Sequence, residues 1–142
     1  MFGVGARANP GVDVVAKQRV LLVDDDRDTR TVLRAILERQ KIRVFEAENG
    51  TKGVLAARKR KPDLIIVDIR MPGMDGIEAC RAIKTDAALR AIPILILSGA
   101  MRRAKLDQFV ELERVSLYDE FLAKPFEYRD LLAIVNRRLA AG

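Results

Sequence analysis

Four short runs of apolar residues, Val20-Leu21-Leu22-Val23, Leu64-Ile65-Ile66-Val67, Ile94-Leu95-Ile96-Leu97 and a weaker Phe121-Leu122-Ala123, constrain this chain more than any other feature. A strand with one wet face alternates apolar and polar residues; a strand buried on both faces does not, so unbroken runs mark a parallel sheet covered by helices on both sides. Ile42 to Ala47 is a more broken fifth run. Between the runs lie segments at helical spacing, with Val32, Leu33, Ile36 and Leu37 in the first and Ile77, Ala79, Cys80 and Ile83 in the third. The spacing predicts strand 19–24, helix 28–40, strand 42–47, helix 51–60, strand 63–68, helix 75–85, strand 93–98, helix 103–114, strand 119–123 and helix 127–140. Five such units predict a doubly wound α/β fold with its ligand site beyond the carboxyl ends of the strands.

A chain of 142 residues has room for one domain, since domains most often run to roughly 100–150 residues. We expect a loose tail over 1–18, a domain over 19–140 and no second, effector domain. The single cysteine, Cys80, cannot form an internal disulfide, and at helical spacing it reads as a small core residue. No apolar stretch approaches the ~20 residues of a spanning helix, and the first residues lack the apolar core of a signal peptide, so the cytoplasm is the default location. The formal charge is +6, with Arg58-Lys59-Arg60-Lys61 the densest basic run. Direct nucleic-acid binding is the less favoured reading of that run, because cations at a helix C-terminus are favourable as plain solvated surface.

The chain contains no histidine. That removes the usual general base and the commonest metal ligand, leaving carboxylates, lysine and hydroxyls to carry any chemistry. Asp24-Asp25-Asp26 follows the first strand, Asp68 the third and Ser98 the fourth, and Lys124-Pro125 follows the fifth. In a parallel sheet these ends lie together, so acids, a hydroxyl and an ammonium converge on one pocket. Clustered carboxylates repel one another unless a cation neutralises them. All-oxygen ligation favours a hard ion, Mg²⁺ first and Mn²⁺ second. Singly, each residue has a structural explanation: Asp26 or Asp28 as the cap of the first helix, Ser98 as a strand end, Lys124-Pro125 as a turn.

Together they resemble the response regulator receiver family. The matching stretches are Val20 to Asp26, Pro62 to Gly76 with its Asp68-Ile69-Arg70-Met71-Pro72-Gly73-Met74-Asp75-Gly76, Leu97-Ser98-Gly99-Ala100, and Phe121-Leu122-Ala123-Lys124-Pro125-Phe126. The resemblance implies a flavodoxin-like sheet of order 2-1-3-4-5 and phosphorylation of Asp68 by a histidine kinase or histidine phosphotransfer protein. It implies Mg²⁺ held by Asp24, Asp25, Asp68 and the backbone carbonyl of Arg70, with Lys124 as the fixed cation. A cis peptide before Pro125 is implied as well. Ser98 is implied to bond a phosphoryl oxygen while Phe121 turns inward, passing the signal to an unknown downstream protein through the fourth helix, fifth strand and fifth helix. Gly99 leaves room for the phosphoryl group, and Arg70 borders the pocket, where it could pair with an acid or shield the phosphoryl group from water.

The stretch Met101 to Tyr118 departs from the family pattern, being longer than usual and lacking the common Gly-Ala before the last strand. Two rival readings stand beside the phosphoacceptor. Aspartyl-nucleophile phosphatases of the haloacid dehalogenase type share Asp-x-Asp after a first strand, but only Asp130 follows Lys124 within helix distance where a second acidic pair is needed. The other rival is a receiver-shaped module that binds its partner constitutively and is never phosphorylated.

Overall fold

The computed structural model describes residues 17–69, 74–99, 105–108 and 116–141. Strands β1 (Arg19–Val23), β2 (Arg43–Ala47), β3 (Leu64–Ile69), β4 (Ile94–Ser98) and β5 (Glu120–Ala123) form one sheet of order β2-β1-β3-β4-β5, every pair parallel. Helices α1 (Arg27–Glu38), α2 (Gly50–Arg60) and α3 (Met74–Lys84) follow the first three strands, residues 105–108 are helical (α4), and α5 (Tyr128–Ala141) closes the chain. Of the expected helix 103–114, the remaining residues lie outside those described.

The unbroken apolar runs are explained by two cores, one on each face. Leu21, Val23, Ile65, Val67 and Ile96 point toward the α2–α3 side, where Ala57, Ile77, Cys80 and Ile83 meet them. Val20, Leu22, Leu64, Ile66, Leu95 and Leu97 point the other way, onto Leu33 and Leu37 of α1 and Leu131, Val135 and Leu139 of α5. Successive strand residues serve opposite faces, so only a continuous run fills both cores.

Some expectations needed correction at the element ends. Helix α1 begins at Arg27 because Asp26 is its N-cap: its carboxylate accepts from the Asp28 amide and from the Thr29 hydroxyl. Asn49 likewise caps α2 one residue earlier than expected, accepting from the Lys52 amide at 2.8 Å. Replacing Asn49 by Ala removes that acceptor and should lower stability by roughly 0.5–2 kcal/mol in urea denaturation, with the slope of the transition unchanged. Val32, placed in the apolar stripe by spacing, is 45 % exposed, so the buried face of α1 is Leu33 and Leu37. Cys80 is fully buried, and burial pushes its thiol up to about 12.

Arg58, Lys59, Arg60 and Lys61 are exposed at the C-terminus of α2. Arg60 also joins Arg19 and Arg43 around the Phe45 ring of β2, with guanidinium carbons 4.8, 5.8 and 5.2 Å from its centroid. Among the described residues no helix is long and apolar enough to cross a membrane.

Strand β5 is tied to α5 by Glu120, which accepts from Arg137 at 2.8 Å and Arg138 at 2.7 Å. Burial pushes the Glu120 carboxyl up, but the two guanidinium hydrogen bonds outweigh it and hold the group below the ordinary carboxylate value of 4.5. A carboxyl depressed in the folded state contributes stability above its unfolded value and loses it as pH falls through the folded one. Glu120→Gln should therefore show a shallower loss of stability than the parent when denaturation is followed from neutral pH downward through 4.5. Equal slopes in the two proteins would show that Glu120 carries no such linkage.

Candidate functional site

The carboxyl ends of β1, β3, β4 and β5 carry the residues singled out above. Strand β1 stops at Val23, so Asp24 opens the loop. Its amide donates to the Ala47 carbonyl at 3.1 Å, and its Oδ1 accepts from the Asp26 amide at 2.9 Å, turning the chain into α1. Asp24 is 4 % exposed, whereas Asp25 is exposed.

Asp68 lies within β3, opposite Leu97, with its side chain 2 % exposed. Lys124, just past β5, donates from Nζ to Asp68 Oδ2 in an ion pair. The Lys124 amide donates to the Ser98 carbonyl at 2.8 Å, which carries the β4–β5 pairing one step beyond the Ser98 and Ala123 register. The peptide before Pro125 is cis. Ser98 is buried and sits opposite Ile69, one residue beyond Asp68. A Cβ at position 99 would sit 3.4 Å from Lys124 Cβ, an ordinary van der Waals contact. Phe121 is half-buried and meets Tyr118 edge to face, the rings 6.3 Å apart at 61°. Arg70 lies outside the described residues.

Asp24, Asp25 and Asp68 line one pocket of about 80 Å³, and Glu48, Asn49 and Asp75 line it with them. These last three were missed from sequence. Glu48 and Asn49 follow β2, the strand whose apolar run is most broken, and Asp75 is brought across by accepting from the Gly50 amide at 2.7 Å. Among the described residues no group of three Asp, Glu, Cys or His side chains is arranged to enclose a metal ion by itself. The donor set is nonetheless all oxygen. Mg²⁺ is characteristically held by one or two carboxylates with carbonyls and waters completing six positions, so an open pocket of this kind fits it. What the arrangement offers chemically is a buried carboxylate, an ammonium bonded to it, and further carboxylates lining the same pocket as that carboxylate.

A family model for the response regulator receiver domain matches residues 20–136. Protein PilH of Pseudomonas aeruginosa is 38 % identical over 122 residues, covering 86 % of this chain and 98 % of that one. DNA-binding response regulator MtrA of Mycobacterium tuberculosis is 33 % identical over 123 residues, covering 87 % of this chain and 51 % of the relative; the chain thus spans about half the length of relatives of that kind. Among solved structures, chemotaxis protein CheY4 of Vibrio cholerae superposes with a TM-score of 0.75 at 30 % identity, covering 87 % of this chain and 100 % of that one.

Proposed function

The chain belongs to the response regulator receiver family, and from that premise we propose that Asp68 accepts a phosphoryl group from a histidine kinase or a histidine phosphotransfer protein. The observation that carries this reading is the ion pair of Lys124 with a buried Asp68 beside the Asp24 and Asp25 carboxylates. A carboxylate needs no general base to act as a nucleophile, so the absence of histidine is no obstacle.

In the proposed transfer, an Asp68 oxygen forms the new bond to phosphorus while the bond from phosphorus to the donor's imidazole nitrogen breaks, the departing nitrogen leaving in line. Asp24, Asp25, Asp68 and the Arg70 carbonyl would hold Mg²⁺, whose charge offsets that of the phosphoryl oxygens when it is bound. Lys124 follows the transferred group, exchanging its bond to the free carboxylate for one to a phosphoryl oxygen. Ser98 donates its hydroxyl to another phosphoryl oxygen, and Phe121 moves inward from its contact with Tyr118, altering the face made by α4, β5 and α5. Attack of water on the acyl phosphate restores Asp68. The receiver domain, 19–140, acts in the cytoplasm and signals to a protein partner; its only chemistry is the gain and loss of its own phosphoryl group.

Incubation with Mg²⁺ and acetyl phosphate should add about 80 Da to the intact mass, one phosphoryl group. Beryllofluoride should shift amide resonances near Ser98 and Phe121. A folded protein that shows neither response is instead a module that binds its partner constitutively.

A further inference from the structure

Helix α1 sends one side chain back toward the loop it started from. Arg30 donates from Nη1 to the Asp24 carbonyl at 2.7 Å and from Nε to Glu46 Oε1 at 2.9 Å, its side chain 13 % exposed. The carbonyl it holds belongs to the peptide that joins Asp24 to Asp25. Arg34, one turn further on, bonds the other oxygen of Glu46 and also Glu38, touching nothing at Asp24.

We propose that Arg30 is a positioning residue for the acidic pair, fixing the Asp24–Asp25 peptide so that both carboxylates address one divalent cation, while Glu46 keeps the guanidinium from competing with that cation. This rests on the metal-assisted reading of the site given above. Asp24 is anchored at its amide by the Ala47 carbonyl and at Oδ1 by the Asp26 amide. In both anchors the partner is a backbone group, so they survive replacement of neighbouring side chains; the anchor on the carbonyl depends on the Arg30 side chain. A guanidinium is a rigid planar fork, so fixing Nε on Glu46 also aims Nη1.

The charge of Arg30 is the difficulty that Glu46 resolves. An uncompensated cation beside two carboxylates lowers the negative potential that attracts a divalent ion, and it is itself a rival partner for those carboxylates. Glu46 offsets that charge and holds the fork on the β2 side. The carboxyl of Glu46 is pushed up by burial but held below its ordinary value overall by the bonds from Arg34 and Arg30, in keeping with an ionised partner in that role.

The test is a Mg²⁺ titration of the unphosphorylated protein followed by amide resonances, with Asp24→Asn as the reference for a lost ligand. Arg30→Met should weaken Mg²⁺ about tenfold, the usual scale for removing a group that orients a metal ligand. It should also shift the Asp25 amide before any metal is added. Arg34→Met breaks the same ion network without touching Asp24 and should leave Mg²⁺ affinity as in the parent. Glu46→Gln should weaken Mg²⁺ while the protein stays folded. Equal weakening in Arg30→Met and Arg34→Met would overturn the positioning role, because the effect would then travel through general destabilisation. So would parent affinity in Arg30→Met when Asp24→Asn is weakened. A parent protein that does not respond to Mg²⁺ at all would sink the metal-assisted reading itself.

Discussion

Asp68→Asn should take up no phosphoryl group under conditions in which the parent gains about 80 Da from acetyl phosphate and Mg²⁺. The substitution is nearly isosteric: the amide oxygen can still accept from Lys124, so the ion pair becomes a hydrogen bond from an ammonium to a neutral amide and the pocket keeps its shape. What disappears is the nucleophile. Asp24 and Asp25 remain in the same pocket, and their survival makes the experiment informative. If an adduct still forms in Asp68→Asn and maps to either of them, the acceptor has been misassigned although the site is correct. Asp68→Ala adds a second comparison. It also removes the partner of Lys124, but that side chain is 29 % exposed and can turn to water, so the fold should persist. Loss of the adduct in both variants, with far-ultraviolet spectra like the parent's, separates lost chemistry from lost structure.

Gly50→Ala should be among the most destabilising of conservative changes. A Cβ at position 50 would stand 2.5 Å from the backbone oxygen of Asp75 and 2.9 Å from its Oδ1. The carboxylate could rotate away, but a main-chain oxygen moves only if the start of α3 moves, and the Gly50 amide is already bonded to Asp75 Oδ2 at 2.7 Å. Overpacking of this kind costs roughly 1–3 kcal/mol. Gly50 and Asp75 also line the candidate pocket, so the damage should reach the site. Thr51→Ala, on the exposed neighbour, should fall within about 0.5 kcal/mol of the parent in the same urea titration. A stable Gly50→Ala protein would mean that α2 and α3 part easily, and their close approach would lose its place in the account of the pocket.

The contrast between those two predictions shows where sequence reading succeeds. The positions of Asp68, Ser98 and Lys124 at neighbouring strand ends were legible because each ends or follows an apolar run, and parallel pairing then brings such ends together whatever the intervening sequence. Asp26 as a cap was legible for the same local reason. Gly50 against Asp75, and Arg30 against the Asp24 carbonyl, leave no such trace: both are contacts between separate elements, set by how closely helices settle on the sheet. Val32 misled because an apolar residue at the right spacing can still face water; that a helix has an apolar stripe does not say how wide the covered part is. Strand β5 is the least buried of the five, so its apolar run is correspondingly short.

The three arginines gathered around Phe45 bear on how the molecule behaves in company. Among the described residues strand β2 pairs only with β1, so within that set one side of its backbone is a sheet edge, the kind onto which a stray strand can add and seed aggregates. Three guanidinium groups crowd the Phe45 ring of that same strand. Two copies meeting edge to edge would bring like charges face to face before any backbone bond could form. Protection of this sort is electrostatic, not steric, and concentrated salt, by shortening the reach of those charges, weakens it.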